Sequence, residues 1–488
     1  MAHNPPPNEI LTTDQMYLAD DLAIKSGLDS FNLMQTAGLS VIRVLRKKWS
    51  RRRVLVLCGP GNNGGDGFIV ASGLKNIGWP VKLGLLGDKV DLDNDALRAS
   101  KLWKGEIQNL SIELLDNADL IVDALFGAGL NREVSGLARQ VIETINKKRI
   151  KCISVDIPSG INGDSGQIQG CAINANTTVT FFRKKPGHLM LPGRSKVGDL
   201  KVVNIGIPNS VLGSIDVSIN ENNPGLFSDK FYFAGVDDHK YSRGHAIISG
   251  GDIMPGAAFL ASMAARRVGA GLVSIVANMV SKAIYLSSNP GTMFIGLNKT
   301  IGFDMVVSEP RCTAFLIGPG NGLTSDIKSR TISSLRSRKS VVLDADALTL
   351  FKDNPSSLFK RINGPVVLTP HKGEFLRLFD VTGNKIHDTR SASKKSGAVV
   401  VFKGGDTIIA APDGRVAINV NSPPTLATAG SGDVLSGLIT GLLATGMPAY
   451  EAACAGNWIH GEAASHYGHG LIAEDIIDGI PRVLRSLY

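Results

Sequence analysis

The chain has 488 residues, 43% of them hydrophobic and 19% charged, which excludes a disordered polypeptide and exceeds one ordinary domain. Its 55 glycines sit mostly in short clusters between apolar runs, as tight βα turns require. The formal net charge of +9 is dispersed, densest at Arg46, Lys47, Lys48 and Arg51 to Arg53. No aromatic-basic platform accompanies it, so an anionic small substrate fits better than nucleic acid.

In chain order, the opening residues Met1 to Pro7 lack the charged and apolar regions of a signal peptide. Thr12 and Gln15 have capping-box spacing, and Met16, Leu18, Ala19 and Leu22 continue an apolar period, so a first helix is expected there. A second covers about Leu33 to Trp49. Short apolar strands follow at Val54–Leu57, Val81–Leu86, Leu120–Ala124 and Ile153–Val155, separated by segments of crossover length. Between Pro208 and Phe227 the pattern weakens into Asn, Ser, Gly and Pro, which places a boundary between domains 1–222 and 223–488. The second half restarts with a strand at His245–Ser249, a small-residue helix over Gly256–Gly271, and a strand at Val273–Val276. Further strands are expected at Ala314–Ile317, Val341–Leu343, Val366–Leu368 and Ala398–Phe402. The fold class is α/β: a doubly wound, Rossmann-like three-layer domain followed by a second α/β domain.

Cys58, Cys152, Cys171, Cys312 and Cys454 show no metal-ligand spacing, which suits reduced cytosolic thiols. No apolar stretch is long enough to span a bilayer. A soluble, cytoplasmic protein is expected, without membrane or nucleic-acid partners.

The first strand runs into Gly59-Pro60-Gly61-Asn62-Asn63-Gly64-Gly65-Asp66-Gly67, in which Gly59, Gly61 and Gly64 have the spacing of a phosphate-approaching loop. Two amides and a carboxylate beside that turn suit a ribose or a monovalent cation. Asp123 and Asp156 each stand at the carboxyl end of a strand. In an open parallel sheet the ligand crevice lies outside those ends, so the three segments should converge.

The segments GNNGGDG, DALFGAGL (123–130), DIPSG (156–160) and TVTFFRKKPG (178–187) together resemble the NAD(P)H-hydrate epimerase family. That resemblance implies interconversion of the R and S forms of hydrated NADH and NADPH. It implies that Asn62, Asn63, Gly64, Gly65 and Asp66 line the substrate, with Gly127, Ala128, Gly129, Leu130, Asn131, Arg132 and Glu133 as a second substrate loop. Asn63, Asp123 and Ser159 would hold a potassium ion, and Asp156 would meet the reacting end. Ala128 stands where that family usually has Thr, and Gln35 where Glu is common. Chemically, loss and return of water through an iminium scrambles the hydrated carbon, and Asp156 is the expected carboxyl that donates and then accepts the proton.

In the second half, Thr428-Ala429-Gly430-Ser431-Gly432-Asp433 opens a helix with small residues, leaving amides and the positive dipole end for a phosphoryl group. Asp433 is placed to take a proton from a hydroxyl. Lys403-Gly404-Gly405-Asp406-Thr407, Gly318-Pro319-Gly320-Asn321-Gly322 and Thr369-Pro370-His371-Lys372-Gly373-Glu374 are further polar turns after strands. No Walker A sequence occurs. GSGD with KGGDT and GPGNG resembles the ribokinase-like superfamily, and TPHKGE with the trailing Gly470 to Asp475 looks like NAD(P)H-hydrate dehydratase. By that resemblance Lys403, Gly404, Gly405, Asp406, Thr407 and Gly432 bind ADP or ATP with magnesium. Ala257, Gly320, His371 and Asp433 contact the S hydrate, whose hydroxyl is phosphorylated and then lost as phosphate. Gly250 to Gly256 lacks the Tyr often found there.

The alternatives weighed are a small-molecule alcohol kinase in the second half, a non-catalytic first half, and a dinucleotide-dependent oxidoreductase. The last is weakened because Asp88 is displaced from the usual ribose-binding position. His460, His466 and His469 lack acidic or thiolate partners at metal spacing and read as surface or core. Expected partners are the small substrates and further copies of the same chain.

Overall fold

The computed structural model describes residues 8–92 and 94–488, so the opening Met1–Pro7 segment lies outside the described residues. The chain divides into two compact units, Glu9–Val217 and, together with Asn8, Ser218–Tyr488. The division falls before the expected residue 222 because Ile219–Glu221 is a strand, parallel to Val416–Asn419. Backbone groups that a linker would leave to water are there taken up by the second unit's sheet.

In the first unit the strands lie in the order Gln108–Asn109, Val81–Leu85, Val54–Cys58, Leu120–Ala124, Lys151–Val155, Thr177–Phe181, Asp199–Val203. All six neighbouring pairs are parallel. Val54–Cys58 and Leu120–Ala124 are buried along their whole length, as continuous apolar runs covered on both faces must be. The expected capping box of Thr12 and Gln15 opens the helix Thr13–Lys25. The next helix, Ser30–Lys48, starts earlier than Leu33 because the Asp29 side chain accepts from the Phe31 and Asn32 amides. Thr177–Phe181 was hidden as a strand by its threonines, yet Thr178 is buried and donates to Val197 O at 2.7 Å.

The second unit's strands run Ile219–Glu221, Val416–Asn419, Thr407–Ala410, Val399–Phe402, Val366–Leu368, Ser340–Leu343, Ala314–Ile317, His245–Ser249, Leu272–Asn278, Met293–Leu297. The strands from Val399–Phe402 to Met293–Leu297 are parallel; Thr407–Ala410 pairs antiparallel with both its neighbours. Its central helices, Pro255–Val268 and Ser431–Ala444, touch backbone to backbone. A Cβ at Gly437 would sit 2.3 Å from Ala261 O, and one at Gly441 would sit 2.7 Å from Ala265 O. All five cysteines are buried. Among the described residues no helix is long and apolar enough to cross a membrane.

Gly437→Val must push these two helices apart. Overpacking of this kind costs about 1–3 kcal/mol, so we expect the second unit to unfold at lower urea concentration. An unchanged midpoint would show that the helices are not in backbone contact.

Candidate active sites at the two sheet reversals

Each sheet has one place where the chain reverses its direction of growth, and each unit gathers its polar residues there. In the first unit the reversal lies between Val54–Cys58 and Leu120–Ala124. A Cβ at Gly59 would be 1.9 Å from Leu125 O, and one at Gly64 would be 1.8 Å from Gly59 O. Only glycine permits that double approach, which fixes the turn from which the helix Asn62–Asn76 departs. Beside it lies a cavity of about 380 Å³ bounded by Asn62, Asn63, Asp66, Gly127, Ala128 and Asp156. The three segments expected to converge do so.

Asp123, in the strand Leu120–Ala124, is fully buried. Its carboxylate accepts from Ser154 Oγ (2.8 Å), Ser159 Oγ (2.5 Å) and Ser159 N (2.9 Å). Burial still raises its pKa, against those hydrogen bonds. Ser159 Oγ also lies 3.2 Å from Phe126 O. Asn63 is packed beside Gly127, and its amide nitrogen is buried without a partner.

Asp156 sits at φ 63°, a left-handed conformation that Asp tolerates better than most residues. Lys185 Nζ is 2.5 Å from Asp156 Oδ1, with side chains only 5% and 16% exposed respectively. Thr180 Oγ1 donates to the same oxygen at 3.0 Å, and Ala128 N to the other at 3.4 Å. Burial would raise the Asp156 carboxyl, but Lys185, His188 and the hydrogen bonds outweigh it and hold the carboxyl below its usual range. His188 Nδ1 accepts from Lys185 N, so its Nε2–H donates to Asp156 O at 2.8 Å. Burial and then Lys185 push the His188 pKa down to about 4, leaving the ring neutral. Lys185, Thr180 and His188 were not singled out in the sequence.

Four further carboxyls border the same cavity: Asp20, Asp21, Asp66 and Asp95. Burial raises Asp20 to about 6, with Lys185 opposing. Burial, then Asp156 and Asp20, push Asp66 well above the ordinary carboxylate range. Asn131, Arg132 and Glu133 are exposed and lie outside the cavity lining, and Gly64 and Gly65 serve the packing of their helix. Gly129 packs against Tyr17 Oη, and Leu130 O accepts from Asn162. Gln35 is half-buried and does not line the cavity.

In the second unit the reversal lies between His245–Ser249 and Ala314–Ile317. A Cβ at Gly251 would sit 1.7 Å from Gly320 O, and one at Gly320 would be 3.1 Å from Ala257 Cβ. Ala257 and Gly320 are thereby brought together. Asp433 lies in the first turn of its helix, behind the left-handed Gly430. Burial and then Asp344 lift its pKa to about 6, with Lys403 opposing. Lys403 Nζ is 2.8 Å from Asp344 Oδ1, and Gly432 lies 3.5 Å from the same nitrogen measured from an added Cβ. Burial would lower the Lys403 pKa, but Asp344 and Glu374 outweigh it. Asp344 was passed over in the sequence, although it ends the strand Ser340–Leu343 as Asp123 and Asp156 end theirs.

His371 caps the helix Lys372–Leu378: its Nδ1 accepts from Gly373 N at 2.9 Å and Glu374 N at 3.3 Å. Its side chain is 56% exposed, and its Nε2 lies 3.4 Å from Glu374 Oε1. In the Lys403–Thr407 turn, Asp406 and Thr407 are buried. Asp406 takes Lys385 Nζ at 2.6 Å, and Thr407 Oγ1 donates to Gly404 O at 2.8 Å. Gly404 and Gly405 are exposed. Of the three histidines set aside, His460 is buried and its Nε2 lies 2.9 Å from Ser431 O. Among the described residues no group of three His, Cys, Asp or Glu is assembled for a metal ion.

Residues 245–482 match the family model described as NAD(P)H-hydrate dehydratase, and residues 30–187 that described as YjeF-related protein N-terminus. The helix bearing Tyr17 and Asp20 precedes the latter span. The bifunctional NAD(P)H-hydrate repair enzyme of Moorella thermoacetica is 35% identical, over 98% of this chain and 97% of its own length. That of Escherichia coli is 32% identical, over 99% and 96%. A ribokinase-like superfamily protein from Enterococcus faecalis is 23% identical, covering 55% of this chain and 96% of its own, with a TM-score of 0.50; it shows the second unit's fold.

Lys185→Met removes the charge that opposes burial at Asp156. The depressed carboxyl of the unaltered protein contributes stability that is full above the unfolded value of about 3.9 and lost as pH falls through the folded value. In the variant the carboxyl should titrate above about 3.9, observable by carbon-13 NMR of Asp156. Titration at the original position would mean that Lys185 does not set it.

Proposed function

The chain belongs to the family of bifunctional NAD(P)H-hydrate repair enzymes, and from that premise we propose how its two units divide the work. The first epimerises the R and S hydrates of NADH and NADPH. The second dehydrates the S hydrate to the reduced cofactor, spending ADP or ATP. The observation that best supports this division is that each sheet reversal carries its own buried acid–base cluster, Asp156 with Lys185 in one and Asp433 with Lys403 and Asp344 in the other.

In the epimerase, the hydroxyl on the hydrated carbon leaves as water while the ring nitrogen's lone pair forms an iminium. Water then returns and gives up a proton. Asp156, held ionised beside Lys185, is suited to accept that proton. Asp156 is the expected carboxyl for both giving and accepting a proton, and its pairing with Lys185 favours the accepting role. Ala128 in place of Thr leaves its contact with Asp156 intact, since the contact is made by the backbone N–H. Asn62, Asn63 and Asp66 face the substrate, and Gly127 to Leu130 form the opposite loop.

The residues around Ser159 fit a potassium ion. Carboxylate, hydroxyl and carbonyl oxygens of Asp123, Ser159 and Phe126 converge, and Asn63 carries a buried amide nitrogen without a partner. Asn63, Asp123 and Ser159 would hold the ion, which supplies fixed positive charge beside the glycine turn.

In the dehydratase, Asp433 takes the proton of the hydroxyl as its oxygen accepts the phosphoryl group from ADP or ATP. The Gly432 and Asp433 amides, with no intrahelical partners, stabilise the charge on that group. Gly404 and Gly405 approach the nucleotide, while Lys403, Asp406 and Thr407 hold their turn. Ala257, Gly320 and the Nε2 edge of His371 bound the hydrated ring. Phosphate then leaves with the carbon–oxygen bonding pair while the ring nitrogen's lone pair forms an iminium, and a neighbouring ring proton passes to solvent water, its bonding pair restoring the double bond. Three carboxyls, Asp344, Glu374 and Asp433, share one ammonium, Lys403, which fits a magnesium ion arriving with the nucleotide. Glu374 would hold it, and it would neutralise phosphate charge.

The test supplies both epimers, Mg²⁺ and ADP or ATP, and follows the near-ultraviolet absorbance of the reduced nicotinamide. Complete recovery with stoichiometric phosphate is expected. A stable phosphorylated product would instead make the second unit an alcohol kinase. Asp433→Asn should lower dehydration by about 100-fold or more. In the unaltered protein the rate should rise with pH through about 6 as Asp433 ionises. A variant that keeps the rate removes Asp433 from this role.

A further inference from the structure

Epimerisation through an iminium needs two groups. The hydroxyl must be protonated as it leaves from one face of the ring, and water must be deprotonated as it adds to the other. One carboxyl fixed on one wall cannot serve both faces. Asp156, on the loop after Lys151–Val155, is ionised and paired with Lys185, and so meets only the second need.

The helix Thr13–Lys25 contributes Met16, Tyr17, Asp20 and Ile24 to the lining of the first cavity. Asp20 is half-buried and, among the described residues, its carboxyl has neither an ion-pair nor a hydrogen-bond partner. A half-buried, unpartnered carboxyl bordering a substrate-sized cavity is costly unless it is protonated or engaged by a ligand.

Resting on the epimerase reading above, we infer that Asp20 is the epimerase's general acid, working across the ring from Asp156. The Asp20 carboxyl proton passes to the hydroxyl oxygen. The carbon–oxygen bond breaks with its pair on the departing water, and the nitrogen lone pair completes the iminium. Water adds from the Asp156 side, the new carbon–oxygen bond forms from its lone pair, and its proton goes to the Asp156 carboxylate. One turnover leaves Asp20 ionised and Asp156 protonated. Proton exchange with solvent water then returns Asp20 to its acid form and Asp156 to its carboxylate, so net conversion of one epimer leaves the enzyme unchanged; the opposite epimer runs the same steps backwards from the exchanged form.

The surroundings agree. The charged and titratable groups facing Asp20 are Tyr17 and Asp21 on its own helix, Asp66, Asp95, Asp156 and Lys185. Burial, with only Lys185 opposing, holds Asp20 near 6, where it can both give and regain a proton at neutral pH. Asp66 is pushed up as well, by burial first and then by Asp156 and Asp20.

The experiment measures exchange between purified R and S hydrates above the uncatalysed rate, for the full chain and for Asp20→Asn and Asp20→Glu, over roughly pH 5 to 8, which spans the Asp20 value of about 6. ATP-dependent dehydration of the S hydrate by the same preparations reports the integrity of the second unit, and thermal unfolding that of the first. We expect Asp20→Asn to lose about 100-fold or more in epimerisation, while Asp20→Glu recovers part of it. The alkaline fall in the unaltered protein's rate should move in Asp20→Glu and vanish from the residual activity of Asp20→Asn. Asp20→Asn at full rate, or a folded Asp20→Asn whose residual rate keeps the unaltered alkaline fall, would overturn the assignment. If the unaltered chain does not epimerise at all, the epimerase reading itself fails, a result distinct from either.

Discussion

Both units depend on a glycine pressed against a carbonyl oxygen where the sheet reverses. Gly59 against Leu125 O and Gly251 against Gly320 O leave no room for a methyl group. These contacts bring the loop of one strand onto the loop of its neighbour from the opposite direction of growth. Without that closure, the amides of the following helix would not face the residues at the carboxyl end of the next strand. The rest of each site is assembled on this junction: Asn62 to Asp66 meet Gly127 and Asp156 in one unit, and Ala257 meets Gly320 in the other.

On this scaffold the sites use the same electrostatic device. Carboxyl groups outnumber ammonium groups in a partly buried pocket, and the lysine's position decides which carboxyl stays charged. Lys185 touches Asp156 and leaves Asp20 and Asp66 raised. Lys403 touches Asp344 and leaves Asp433 and Glu374 raised. Acid and base are thereby separated in one cavity by contact distance, with no difference in residue type.

Much of this was legible in the chain. Continuous apolar runs such as Val54–Cys58 announce strands covered on both faces, and Asp123 and Asp156 were found by standing at strand ends. Asp344 carries that same signal and was overlooked because its neighbours Ala345 and Asp346 form no recognised motif. Lys185 and Asp20 were illegible for another reason. Their roles come from packing between segments distant in the chain, and a lysine in Arg183-Lys184-Lys185 or an aspartate in an amphipathic helix looks like a solvated face. Arg132 and Glu133 are exposed and lie beyond the point where their loop leaves the cavity lining. The strands Thr407–Ala410 and Val416–Asn419 were missed because four-residue runs beside Gly and Asp turns carry too little periodicity to stand out.

The left-handed backbone at Asp156 also bears on how this enzyme can vary. A conformation at φ 63° is open to glycine and, with modest strain, to asparagine and aspartate. Glutamate would offer the same chemistry with a longer reach, yet it fits that backbone poorly. Drift at this position is therefore filtered by main-chain geometry before catalysis is tested. Any path to a different acid–base pair in the first unit is easier through the lysine or the opposite helix than through the aspartate itself.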